Sequence, residues 1–161
     1  MTDNVYERFE TNADFQTAVD RLLMQPGREL RIFDPDGAAL RLNDPVRLVR
    51  LERFLMSSRT RRIYLVVHNT EHLTRQCPRM MSLLARYSHA MQINRTHEEI
   101  RELQDAFLVL DSMHFVRRPV AQFFRGALSF GDETEGLAMR GRFMEIWAAS
   151  FPAVSSTTIG L

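Results

Sequence analysis

Seven residues in the middle of the chain have side chains suited to holding an anion: His68, Asn69, Arg95, His97, Gln104, Arg117 and Arg118. Guanidinium groups grip phosphate or carboxylate through paired N–H donors, and imidazole and amide groups add further donors. The expected anion set is Arg95, His97, Gln104, Arg117 and Arg118, with a phosphate group or nucleotide as the ligand. An enzyme built there would use His97 or His68 as general base, with Arg118 facing an anionic substrate. The plain alternative is that these residues end strands and are polar because they meet water.

Other chemistries lack their residues. All 21 basic residues are arginine, so a Schiff base, a P-loop lysine and a catalytic ammonium are excluded. The 7 glycines are scattered and form no phosphate loop. His68 and His72 are four apart but straddle a strand end and a helix start, so they do not share a helix face. No metal and no cofactor is expected. Cys77 has Arg75 and Arg79 beside it, which would lower a thiol pKa at a helix start, but no partner His or Asn stands at a recognisable spacing. A half-buried, inert thiol is the simpler reading. Arg59, Arg61 and Arg62 form a basic run with only Tyr64 as a nearby aromatic, which suits a solvated edge better than a nucleic-acid platform. Of Phe123 and Phe124, and of Met80 and Met81, one member each is expected in the core and the other on a partner surface.

The elements that must position these groups can be read from pattern. Residues 1–11 are polar and expected to be flexible. Asn12 offers a helix cap, and Phe15, Ala18, Val19, Leu22 and Leu23 follow at helical spacing until Pro26-Gly27. Glu29 to Phe33 is a strand, and Asp34-Pro35-Asp36-Gly37 is turn chemistry. Asp44-Pro45 starts a second helix that buries Leu48, Leu51, Phe54 and Leu55. Ile63 to Val67 is continuously apolar, as a central strand covered on both faces must be. Glu71 to His89 is helical with a break near Cys77-Pro78, and Met91 to Arg95 alternates like a strand.

Leu103 to Pro119 then reads as two apolar strands joined at Asp111-Ser112, where an Asp accepts backbone N–H bonds and tolerates turn dihedrals. His114 on the return strand reads as a packed or surface histidine. Val120 to Phe130 adds further strand, with Gly126 as a bend or bulge. Glu133 to Ser150 is a last helix with Leu137, Phe143, Ile146 and Trp147 inward, and residues 151–161 are a tail. The βαβαβ section demands right-handed crossovers and a parallel core, and the hairpin makes the sheet mixed. The fold class is α/β with helices on both faces, in one domain spanning residues 12–150.

The frame Gln104-Asp105-Ala106-Phe107-Leu108-Val109-Leu110-Asp111, together with Phe143 and Trp147 in the last helix, resembles one half of the phospholipase D superfamily fold, in its short single-motif members. That family opens the corresponding strand with His-x-Lys-x-x-x-x-Asp. The resemblance puts Gln104 at the nucleophilic histidine, Ala106 at the phosphate-neutralising lysine and Asp111 at the motif's aspartate. The family's Gly-Ser-x-Asn element falls at Arg118-Pro119-Val120-Ala121, which does not match it. The chain is thus similar to degenerate phospholipase D-like domains found in proteobacteria. The resemblance implies a domain without catalytic residues, serving in binding, regulation or assembly, and commonly paired as a homodimer.

The remaining bounds are compositional. A chain of 161 residues with 45% hydrophobic residues can bury a full core. The net charge of +1 supplies no bulk attraction to membrane or nucleic acid, so nucleic acid is the weakest of the partner classes. A single cysteine, no basic-then-apolar leader and no membrane-length apolar run point to a cytoplasmic protein with no membrane partner.

Overall fold

The computed structural model describes residues 4–154. Eight strands form one sheet: β1 (Val5–Phe9), β2 (Glu29–Asp34), β3 (Arg62–Val67), β4 (Met91–Thr96), β5 (Ala106–Leu110), β6 (His114–Arg118), β7 (Gly126–Phe130) and β8 (Ser150–Val154). Their order is β1-β7-β6-β5-β2-β3-β4-β8, with β2, β3 and β4 parallel and every other pairing antiparallel. The mixed α/β sheet with helices on both faces is the expected fold class.

Helices α1 (Asn12–Leu23), α2 (Pro45–Met56), α3 (Glu71–Gln76) and α4 (Pro78–Arg86) cover one face. The amphipathic stripe of α1 buries Phe15, Val19 and Leu22 there, with Thr11 rather than Asn12 as the cap: its hydroxyl accepts from Asp14 N at 3.1 Å. Asp44 caps α2 through Val46 N, with Pro45 at the first helical position. Pro78 lacks an N–H and ends α3 at Cys77, as expected. The Cys77 thiol is buried, which pushes its pKa up and removes the thiolate that reactivity needs. Met80 and Met81 are both in this core, so neither serves a partner surface.

The other face carries one helix, α5 (Glu133–Ala148), over Phe33, Val66, Phe107, Val109 and Phe115. Its inward residues are Met139, Phe143 and Ile146, with Trp147 at the margin. Leu137 points to solvent, contrary to expectation. Gly136 faces the sheet instead, because a Cβ there would lie 2.3 Å from the Ser112 carbonyl oxygen.

Two edge strands were not legible. Residues 5–9, expected in a flexible segment, pair as β1 with β7, and the start of the expected tail pairs as β8 with β4. Residues 1–3 and 155–161 lie outside the described residues. Gly126 is no bulge: β1–β7 pairing runs in unbroken register to it, opposite Phe9, and a Cβ would fall 1.8 Å from the Arg117 carbonyl oxygen.

The β5–β6 turn is held from a distance. Asp111 adopts φ 54°, and its carboxylate accepts from Arg28 N and Glu29 N at 3.0 Å each, tying the hairpin to the start of β2. His114 follows, with Nδ1 accepting from Gly131 N at 3.1 Å and its ring edge-on to Phe130. Burial lowers the His114 pKa, partly offset by Asp111. A lowered folded-state value means that the unfolded chain binds the extra proton. The stability His114 contributes is therefore complete above about pH 6.5 and declines as pH falls toward the folded value. Urea unfolding at pH 7.5 and pH 5 should show a smaller pH difference in His114→Gln than in the parent; equal differences would contradict this.

Candidate functional site

The carboxyl ends of β2 and β3, the start of β5 and the end of β6 meet at one end of the sheet and enclose a cavity of about 610 Å³. Its polar lining includes Asp34, Asp36, His68, Arg101, Gln104 and Arg118, and Phe124 supplies an apolar wall.

Asp34 and Arg118 form a salt bridge, with side chains 2% and 3% exposed. The second Asp34 oxygen accepts from Gly37 N at 2.7 Å. Arg118 Nη1 donates to Ala121 O at 2.6 Å, and its guanidinium lies 4.6 Å from the Phe15 ring centroid and 5.8 Å from that of Phe124. Burial raises the Asp34 carboxyl above its usual value, against the pull of Arg118 and Gly37 N. It likewise lowers the Arg118 guanidinium, against the pull of Asp34. The two charges neutralise each other, so the cavity is not a cationic hole. Ala106 pairs directly across from Arg118. A lysine at 106 would place a second cation beside a buried one.

His68 has both ring nitrogens engaged, Nδ1 with Thr96 Oγ1 at 2.7 Å and Nε2 with Leu103 O at 2.8 Å. A carbonyl only accepts, so Nε2 carries a proton, and in the neutral ring Nδ1 accepts from the Thr96 hydroxyl. The ring latches the end of β4 to the segment entering β5. Asn69 is likewise structural, since its side-chain oxygen accepts from Glu71 N at 2.8 Å.

Of the expected anion set, Gln104 and Arg118 line this cavity. Arg95 lies beside it, its Nε donating to His68 O at 3.2 Å. His97 is exposed against Phe151, ring centroids 5.0 Å apart, and does not join His68. Arg117 points to the opposite face from Arg118, as successive strand residues must, and reaches Glu135 at 4.0 Å. Adjacent positions in sequence thus split across the sheet. Asp34 and Arg101 were missed. Asp34 did read as turn chemistry, but its partner is 84 positions away. Arg101 has a buried Nε without a hydrogen-bond partner. Among the described residues no group of three or more His, Cys, Asp or Glu is placed to hold a metal ion, and no helix is long and apolar enough to cross a membrane.

Residues 11–156 match the family described as Domain of unknown function (DUF7931). The chain belongs to the DUF7931 family. No curated protein matches this DUF7931 chain. Its fold is similar to that of TrmBL2, an archaeal chromatin protein, with 11% identity and a TM-score of 0.63 over 92% of this chain and 54% of that one. It is also similar to Nuc, a phospholipase D family member from Salmonella typhimurium, with 9% identity and a TM-score of 0.62 over 95% and 100% of the two chains. NucT from Helicobacter pylori gives 10% identity and 0.61 over 94% and 100%. The DUF7931 chain therefore spans about half of the chromatin protein and the whole of Nuc and NucT. At these identities the likeness is one of fold, and the fold is phospholipase D-like.

Proposed function

We propose that this DUF7931 chain is a phospholipase D-like domain that binds rather than cleaves, with a regulatory or assembly role. The observation that carries the reading is the closed Asp34–Arg118 pair. A transferring phosphoryl group needs unneutralised positive charge aimed at it, and Arg118 is committed to Asp34. Three features support the same reading. Gln104 has no nucleophilic atom, Ala106 has no charge, and both nitrogens of His68 are engaged. An anionic ligand in the cavity would meet Gln104 and Arg101 at its wall, and the buried unpartnered Nε of Arg101 favours an acceptor there.

The full chain is expected to leave bis(p-nitrophenyl) phosphate at the rate of buffer alone. Turnover that disappears in Gln104→Ala would overturn the reading.

A further inference from the structure

The loop Pro119–Arg125 walls the cavity on one side and, on its other side, a second cleft of about 480 Å³ at the β1 edge. The register builds that cleft. Arg8 on β1 and Arg117 on β6 both pair with Ala127 on β7, so the two arginines flank a small residue on one sheet face. Tyr6 lies on that face two residues before Arg8, opposite Ser129. The sheet here is open: α5 packs over β2, β4, β5, β6 and β8, and neither β1 nor β7 is among its main contacts. Phe123 and Arg125 close the far rim, with the guanidinium 6.0 Å from the Phe123 ring centroid.

Two features distinguish this cleft from an ordinary solvated edge. Two of its three aromatics are exposed, Tyr6 at 58% and Phe123 at 52%, while Phe9 is buried. Its cations are largely unneutralised: Arg8 and Arg125 join no ion pair among the described residues, Arg117 has only the 4.0 Å contact to Glu135, and Glu10 is the single acid in the lining. Three guanidiniums track a polyanionic backbone while two rings offer faces on which bases stack. This is the combination that binds single-stranded nucleic acid without reading its sequence. A duplex hides its base faces and would leave Tyr6 and Phe123 unused.

We propose that this cleft binds single-stranded nucleic acid. The proposal goes beyond the reading of the cavity and does not depend on whether the cavity is silent, because the arginines and rings lie on the other side of the loop. The test is fluorescence anisotropy of a labelled twenty-nucleotide oligothymidine with the full chain, across a salt series. Binding should fall with salt at a logarithmic slope of about −2, as three neutralised phosphates on a single strand require. Phe123→Ala should weaken binding about 5-fold or more through lost stacking. Arg125→Gln should weaken it and bring the slope nearer zero by about 0.7. Arg53→Gln, on the remote helix α2, should change neither. The side chains at 123 and 125 are exposed, and thermal unfolding by circular dichroism checks that the variants are folded. No binding at low salt would overturn the proposal. So would equal weakening by Arg53→Gln, or binding to anionic phosphatidylserine vesicles that needs Phe123 while the oligonucleotide is ignored. Hydrolysis of the phosphodiester reporter would overturn the cavity reading and leave this result untouched.

Discussion

Replacing Arg118 with Met, or Asp34 with Asn, is expected to destabilise the protein by about 3–5 kcal/mol, the usual cost of leaving one member of a buried ion pair without its partner. Either change leaves a nearly fully buried polar group at the strand ends without its partner. The double variant Asp34→Leu/Arg118→Met removes both charges together. It should recover most of either single loss, with about 1–3 kcal/mol remaining because Gly37 N–H and Ala121 O lose their partners. Urea unfolding of the four proteins closes a double-mutant cycle. Additive losses would mean that the two side chains are not coupled. Cooperative recovery would identify the pair as a coupled structural unit.

Gly126→Ala should cost about 3 kcal/mol, the top of the range for overpacking. The added methyl has no soft neighbour to displace: it meets the backbone carbonyl of Arg117 at 1.8 Å and the Phe9 ring at 2.9 Å. Relief requires β6 and β7 to separate at the end where Arg117 and Arg125 stand. Oligonucleotide binding should therefore weaken along with stability, whereas Gly141→Ala, with nothing within 4 Å of the new atom, should be neutral or slightly stabilising. Comparing the two melting temperatures checks this, and equal values would contradict it.

Asp111 reads as a turn residue and is one, since an Asp at a tight corner is a local preference. Even so, its carboxylate spends itself on Arg28 and Glu29, contacts that only the sheet brings near. Val5–Phe9 and Ser150–Val154 do not read as strands because they are edge strands that face water: the first carries Glu7 and Arg8, and the second holds Pro152. Leu137 reads as inward from the sequence because α5 has apolar residues around its circumference, yet it is exposed. Its true phase is decided by Gly136, the one position that lets the helix approach the Ser112 carbonyl.

By itself the sequence determined what rests on local periodicity and residue chemistry. It determined the amphipathic helices, the buried central strand, the hairpin and the phospholipase D-like fold class. The tertiary structure alone decided which charges meet. It sent Arg117 and Arg118 to opposite faces, closed Arg118 on Asp34, occupied both nitrogens of His68, and gathered Tyr6, Arg8, Phe123 and Arg125 around a small-residue floor. The physical reason is one of range. Helix and strand signals come from neighbours within a turn or two, whereas a charge's partner is set by strand order and register, which bring together residues as far apart as 34 and 118.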